Sequence, residues 1–161
     1  MKDGNLKKGS GLTLKSMFKF MMENGYSPSF ESGSIQFDLG SDIAVVEYNE
    51  GIMSARLFYT IGEDQYDLFL EASNMAMLKS YATKIAVLDS MTDLMFSCEF
   101  PCGNLRDFKR FLPIAIDRLK ETIKIHKEEM RRLIIASGVV SATIPATDNS
   151  MAGTGKRKII S

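Results

Sequence analysis

A seven-residue repeat of mostly apolar positions in the C-terminal half constrains the fold of this chain most strongly. The repeated positions are Leu105, Leu112, Leu119, His126 and Leu133, with Ile116, Ile123 and Met130 between them. Seven residues make about two turns of an α-helix, so these side chains share one side of a long helix. Such an apolar stripe has to be covered, and other elements must therefore pack against it.

The residues before the repeat indicate where this helix begins. An alternating apolar segment ends at Pro101, and Cys102-Gly103 supplies a turn before Asn104. Asn104 is a preferred N-cap residue, and Asp107 three positions later resembles the acidic member of a capping box. Pro113 has no backbone donor, so we expect it either to kink the helix or to restart it.

Upstream of the long helix, apolar periodicity and turn residues predict seven further elements. These are a helix over about 14–22, strands at 35–39, 43–48 and 53–61, a helix over about 64–80, and strands at 84–88 and 94–100. Short turns between alternating strands indicate antiparallel hairpins. An antiparallel sheet of about five strands with helices, in the order α-βββ-α-ββ-α, predicts an α+β fold with a long C-terminal helix.

The organisation along the chain follows from composition. Residues 1–11 are polar and predict a flexible leader, residues 12–136 predict a single α+β domain, and residues 137–161 predict a linker-like or disordered tail. A length of 161 residues is sufficient for one domain with a core.

In the tail, Gly153-Thr154-Gly155-Lys156-Arg157 does not match a phosphate-binding loop. Such a loop requires glycine at the position of Ser150 and serine or threonine at the position of Arg157.

Charge and cysteine content limit the class of protein. The 20 basic and 20 acidic residues leave no net charge, which argues against a dedicated nucleic-acid binder. No apolar run approaches the roughly 18 residues that a membrane span needs, and no signal-peptide core follows Met1. We therefore expect a cytoplasmic protein that binds neither nucleic acid nor membrane.

The two cysteines have different expected roles. Cys98 is expected in the core, whereas Cys102 lies at a predicted helix N-terminus, where the thiol pKa can be lowered and a redox role is possible.

Three segments carry a resemblance to a known family. They are Asn24-Gly25-Tyr26 at the end of the first helix, Asn74 in the second helix, and Phe100-Pro101-Cys102-Gly103-Asn104-Leu105 before the last helix. With the element order, they resemble the YbjN-like proteins, a family assigned provisionally to bacterial sensory transduction regulation, and the related type III secretion chaperone-like fold. The resemblance covers about Leu12 to Leu133. It implies a small homodimer that binds other proteins and has no assigned enzyme activity.

No set of residues predicts catalysis or a bound cofactor. His126 is the only histidine, which excludes two-histidine metal motifs. It is interpreted as a satisfied, partly covered side chain, with a pH-responsive interface contact as the alternative. Asp38, Asp42, Glu47 and Glu50 cluster around two turns, where a solvated hairpin end is favoured over a metal site. We expect no catalytic, cofactor-binding or metal-binding residues.

The sequence therefore predicts a non-enzymatic protein-binding module, chaperone-like or a regulatory adaptor, that forms a homodimer and binds an unidentified partner protein. Its expected binding surfaces are the last helix from Leu119 onward and the second face of the sheet, which is the face that the helices do not cover. The candidate residues are Phe58, Met95, Leu119, Ile123, His126 and Met130. The alternatives are a small ligand-binding domain or enzyme with a pocket between sheet and helices, and an immunity-type partner protein.

Overall fold

A computed structural model describes residues 11–138, and this part of the chain contains three α-helices, one 3₁₀ turn and six β-strands. The helices are α1 (Leu14–Glu23), α2 (Tyr66–Met77) and α3 (Leu105–Ala136), and the 3₁₀ turn (Glu63–Gln65) precedes α2. The strands are β1 (Ser29–Glu31), β2 (Ser34–Leu39), β3 (Asp42–Asn49), β4 (Ile52–Thr60), β5 (Thr83–Val87) and β6 (Asp93–Pro101). The predicted α+β class and long C-terminal helix are confirmed.

The predicted leader and tail lie largely outside the described residues, as does the glycine-rich run 153–157. The described chain forms two compact units. One contains the residues up to Leu57 together with Ser97–Leu119, and the other contains Phe58–Phe96 together with the residues from Lys120. The single domain expected over 12–136 stays a prediction.

The strands form a sheet in the order β1-β2-β3-β4-β6-β5. Five of the six were predicted, and β1 is the addition. It is only three residues long and pairs with β2 through the two-residue turn Ser32-Gly33, in which both residues have positive φ. Its side chains are exposed, so β1 lacks the buried alternation from which a strand is recognised in a sequence.

The turn between β3 and β4 fixes the pairing of these two strands. Glu50 and Gly51 have φ values of 48° and 83°, as a two-residue hairpin turn with left-handed residues requires. Asn49 consequently pairs with Ile52, and Glu47 pairs with Ser54. The turn residues thus determine which side chains lie beside one another across the two strands.

In the first unit, α1 buries Met17 and Met21 against the core. Its predicted end at Gly25 is confirmed by a φ of 78°, and the Tyr26 N–H donates to the Met21 carbonyl at 3.0 Å. This is the hydrogen bond of a Schellman cap, which requires the left-handed residue that glycine supplies.

The N-terminus of α3 follows the predicted capping pattern. The Asp107 N–H donates to Asn104 Oδ1 at 2.9 Å, and the Asn104 side-chain amide donates to Asp107 Oδ2 at 2.9 Å. The helix then runs unbroken through Pro113 to Ala136, so of the two outcomes expected at Pro113, a kink or a restart, the restart does not occur. One missing donor in a ladder of this length leaves enough neighbouring bonds to continue the helix.

In the second unit, α2 buries a narrower side than its sequence suggests. Its buried residues are Phe69, Ala72, Ser73 and Ala76. Leu70 and Met77 have the helical spacing from Ser73 that would place them on the same face, but both are exposed. The small side chains of Ala72 and Ala76 allow close approach of other elements, which turns the larger residues outward.

Candidate protein-binding surfaces

Alternation along β4 separates a buried side from an outward side. Met53, Ala55, Leu57 and Tyr59 are buried, whereas Phe58 between the last two is 46% exposed. Successive side chains of a strand point to opposite faces, so Ser54, Arg56 and Phe58 share the side that the core does not use. The sheet's second face therefore carries both an aromatic and a polar group.

Phe58 and Met95 form the first candidate surface, called here the Phe58 surface. The Ile61 N–H donates to the Thr92 carbonyl at 2.7 Å, and this bond sets the pairing of β4 with β6 in the second unit. Because the two strands are antiparallel, three residues back along β4 and three residues forward along β6 bring Phe58 opposite Met95. Met95 is partly buried. Two of the six predicted residues are thus brought together on an accessible surface.

The second candidate surface is a depression in the first unit, called here the Ser54 depression. It is lined by Glu47, Asn49, Glu50, Ile52, Ser54, Arg56 and Glu99. Arg56 Nη1 lies 2.8 Å from Glu47 Oε2, and Arg56 Nη2 lies 3.7 Å from Glu99 Oε1. A single guanidinium therefore holds carboxylates from the two strands that flank β4.

Ser54 lies at the base of this depression with its hydroxyl unsatisfied. The residue is only 5% exposed, and no atom of the described residues is within hydrogen-bonding distance and geometry of its Oγ. Sequence reasoning interpreted Glu47 and Glu50 as a solvated hairpin end and did not select Ser54. The turn Glu50-Gly51 and the alternation of β4 would together have placed Ser54 beside Glu47.

Three of the predicted interface residues are buried. Leu119 and His126 have no exposed surface, and Met130 is 2% exposed, so the expected exposure of these three residues is wrong. A helix of this length extends beyond what one small sheet can cover. In the second unit α2 supplies cover as well, since its Phe69 ring lies against His126. Whether any of the six residues binds a protein stays a prediction.

His126 lies in an aromatic interior, and the residues Phe69, Ser73, Phe96 and His126 are called here the His126 cluster. The ring is stacked near Phe69 at a centroid distance of 5.9 Å and meets Phe96 edge-on at 5.3 Å. Ser73 Oγ donates to the Phe69 carbonyl at 2.6 Å, so His126 Nε2–H is the donor in its 3.2 Å contact with Ser73 Oγ.

The other ring nitrogen of His126, Nδ1, has no hydrogen-bond partner within the described residues. Burial disfavours the charged imidazolium and lowers the pKa of His126 from 6.5 to about 4, although the Phe69 carbonyl opposes this shift. His126 is therefore neutral near pH 7. A surface contact that switches with pH, the alternative interpretation of this residue, does not fit a side chain without exposed area.

A charged cluster lies one turn further along α3. The carboxylate of Glu129 is buried and contacts the ammonium of Lys79 and the guanidinium of Arg132. The hydrogen bond from Lys79 is the largest cause of a lowered Glu129 pKa, which burial opposes and Arg132 reinforces. These contacts hold the residues after α2 against α3 and show that the inner side of α3 remains covered there.

The outer side of α3 presents the third candidate surface, called here the basic groove. It is a shallow groove lined by Lys120, Ile123, Lys124, Lys127, Glu128 and Arg131. Ile123 is partly buried among these charged side chains. Four cations face one carboxylate, so the groove attracts acidic groups, and Ile123 offers an apolar contact within it.

Both cysteines are buried, and neither forms a disulfide. Burial raises the pKa of the Cys98 thiol to about 11 and also raises that of Cys102, to which the nearby Asp107 carboxylate adds. The lowered pKa considered for Cys102 is therefore wrong. The cap residue Asp107 brings a negative charge close to the thiol, and the side chain is only 1% exposed.

The sequence prediction missed exposed apolar residues on the outer side of α2 and directly after it. They are Leu70, Met77, Leu78 and Tyr81, and the last two are 81% and 75% exposed. Reading this helix with Ala72 and Ala76 on its inner side would have identified its outer apolar residues.

Within residues 11–138 no helix is long and apolar enough to cross a membrane, and no group of three or more acidic, cysteine or histidine side chains is arranged to hold a metal ion.

No protein family model and no curated protein matches this chain. Among solved structures, it is similar to the crystal structure of YbjN from E. coli, provisionally described as a transcription regulator. The match has a TM-score of 0.60 and 8% sequence identity, and it covers 75% of this chain and 94% of the YbjN chain. Such a likeness shows the fold alone. The expected YbjN-like fold is confirmed, and function has to be argued from the residues.

Proposed function

We propose that this chain is a non-enzymatic, cytoplasmic protein-binding module, a chaperone-like or regulatory adaptor that needs no cofactor and acts as a homodimer. A segment of an unidentified partner protein binds to the Phe58 surface. The exposure of Phe58 on a paired strand is the observation that carries this proposal. The likeness to YbjN, itself provisionally a regulator, supports a regulatory role at a coarse level.

An aromatic ring that is about half exposed near the end of a paired strand is well suited to a binding surface. Covering the exposed part of Phe58 contributes on the order of 1 kcal/mol, since full burial of such a side chain contributes about 1.5–3 kcal/mol. Its neighbour Met95 has a flexible thioether that adapts to different partner side chains. Strands hold both residues in place, so little ordering cost opposes binding.

The basic groove of α3 provides the second contact of the adaptor. Lys120, Lys124, Lys127 and Arg131 attract a partner region that carries carboxylates. Such charges chiefly raise the rate of association and select the partner, whereas apolar contacts slow its release. We therefore assign most of the affinity to Phe58 and the salt dependence of binding to the basic groove.

The experiment compares Phe58→Asp with Thr60→Asp in copurification from the native host. Both changes introduce one carboxylate on the same side of β4, and both original residues are exposed. We expect a specific protein to copurify with the wild type and with Thr60→Asp but to be lost with Phe58→Asp. Light scattering after size exclusion is expected to give twice the 18.0 kDa mass of the chain.

Equal recovery of the partner with both variants would exclude the Phe58 surface as its binding site. A monomer from which no protein copurifies would contradict the adaptor function as a whole. Circular dichroism of both variants verifies that loss of binding does not result from unfolding.

A further inference from the structure

We infer that the basic groove binds an acidic helix of the partner protein, whose carboxylates form one stripe that faces the cations of α3. This inference rests on the proposed adaptor function and specifies the conformation of the partner's second contact, which that function leaves open. Three features of the groove support it: the spacing of its cations, their lack of ion-pair partners and the apolar side chain beside them.

The four cations of the groove form a single stripe along α3. They are separated by four, three and four residues, the spacing at which helical side chains lie one above another: Lys120, Lys124, Lys127 and Arg131. All four are exposed. His126, which lies among them in the sequence, is fully buried, so the stripe faces away from the core.

The charge of this stripe is not balanced by the described part of the chain. None of the four cations has an ion-pair partner within residues 11–138, whereas the neighbouring Arg132 contacts Glu129. Glu128 is the one carboxylate among the groove's lining residues, so three of its four positive charges are in excess. Asp117 and Glu121 are exposed nearby on α3 but do not line the groove. A ligand with several carboxylates supplies the missing charges.

The length of the stripe distinguishes a helical ligand from an extended one. From Lys120 to Arg131, α3 rises by about 16 Å. A second helix with carboxylates at the same intervals has the same rise, so each of its carboxylates meets one cation. An extended segment places successive side chains of one face about 6.7 Å apart, and four of them span about 20 Å, which does not match the stripe. The intervals are the same in both directions, so the bound helix can lie parallel or antiparallel to α3.

Ile123 gives the groove an apolar contact beside the cations. It is partly buried and lies on the flank of the stripe that leads toward the core. An amphipathic acidic helix covers Ile123 with an apolar side chain while its carboxylates face the cations. A nucleic-acid strand fits less well, because such ligands select a continuous basic face, whereas this chain has no net charge and Glu128 lines the groove.

Titration of the ¹⁵N-labelled full-length chain with three alanine-rich helical peptides tests this inference. The stripe peptide carries four glutamates at intervals of four, three and four residues, with a leucine beside them. The neutral peptide has glutamine in place of each glutamate, and the distributed peptide has the composition of the stripe peptide with its glutamates spread around the helix. We expect the stripe peptide to shift the amide signals of residues 120–131 in a saturable way. The neutral peptide is expected to bind at least about tenfold more weakly and the distributed peptide about fivefold more weakly.

Two double variants of the protein complete the experiment. Lys120→Gln/Lys124→Gln removes two cations of the stripe and is expected to weaken binding of the stripe peptide about tenfold. Lys15→Gln/Lys19→Gln is the matched control, because it removes the same charge at the same spacing from exposed positions of α1 that do not line the groove. We expect the control to leave the affinity unchanged. Glutamine has nearly the helix propensity of lysine, and unchanged spectra elsewhere demonstrate that each variant is folded.

Equal binding of the stripe and distributed peptides would overturn the inference, because only the total charge of the ligand would then matter. Equal affinities of the two double variants would overturn it as well. A deoxythymidine oligonucleotide that shifts the same signals at lower concentration than the stripe peptide would replace the acidic helix with a nucleic acid as the ligand of the groove.

The outcome at Phe58 separates this inference from the proposed function. If no peptide shifts the groove signals but Phe58→Asp abolishes copurification, the adaptor function stands and only the helix site is excluded. If the stripe peptide binds as expected while Phe58→Asp leaves copurification unchanged, the helix site stands and the Phe58 surface is excluded. If both experiments fail, both proposals are overturned.

Discussion

The Ser54 depression and the His126 cluster each contain a buried polar atom without a hydrogen-bond partner among the described residues, but their surroundings differ. Ser54 Oγ lies at the base of an open depression among charged groups, whereas His126 Nδ1 is enclosed near Phe69 and Phe96. Both atoms are themselves closed to solvent in the folded chain. The missing partner therefore costs stability in both regions, in charged surroundings at Ser54 and in aromatic surroundings at His126.

The largest effect is expected from removing the aromatic cover of His126. Phe69 is fully buried, and Phe69→Ala deletes a ring from the core of the second unit. We expect the free energy of unfolding to fall by about 3–5 kcal/mol, because a large core side chain is replaced by a cavity. Urea denaturation measures this change.

Leu70→Ala is the matched control, since Leu70 is the next residue of α2 and is 38% exposed. Its expected effect is about 0.5 kcal/mol. If the two substitutions lower the free energy of unfolding by similar amounts, the His126 cluster is not an enclosed interior. Its contrast with the Ser54 depression would then disappear.

The second effect is a dependence of stability on pH that arises from His126. Its pKa is about 4 in the folded chain and near 6.5 when it is exposed, so the unfolded chain binds more protons between these values. The neutral ring contributes its full stability above pH 6.5, and this contribution is lost as the pH falls toward 4. The loss amounts to about 3 kcal/mol, from about 1.4 kcal/mol for each unit of pKa.

Denaturation of the wild type and His126→Leu between pH 7 and pH 4.5 measures this loss. The variant has no group that titrates at this position and is expected to show a flatter profile. Glu129, whose pKa is lowered, adds its own loss at more acidic pH. Between pH 7 and pH 4.5, the change in the free energy of unfolding therefore reports mainly on His126. If this free energy changes with pH in the same way in both proteins, His126 is not enclosed and neutral in the folded chain.

The contrast between these regions also separates what the sequence predicts from what it does not. The Asn104–Asp107 cap and the end of α1 at Gly25 depend on residues within a few positions of each other, and both were predicted. The burial of His126 depends on α2, more than 50 positions away in the chain, and the heptad pattern alone cannot specify which element covers it. The Ser54 depression requires the pairing of three strands, which hydrophobic alternation does not reveal.

A third substitution removes a hydroxyl that both donates and accepts a hydrogen bond. Ser73→Ala deletes the group that donates to the Phe69 carbonyl and accepts from His126 Nε2. Two buried polar atoms then lose a partner, and we expect the free energy of unfolding to fall by about 1–3 kcal/mol. The measurement is urea denaturation at pH 7, where His126 is neutral. No loss of stability would mean that these hydrogen bonds are not formed in solution.

The smallest effect, and one of opposite sign, is expected at Ser54. Ser54→Ala removes a buried hydroxyl without a partner among the described residues, so the same chemical change that weakens the chain at position 73 leaves it unchanged or stabilises it by up to about 1 kcal/mol. Paired denaturation curves of the two serine variants measure the difference in sign. A loss at Ser54 as large as that at Ser73 would show that the Ser54 hydroxyl already has a partner within the folded chain.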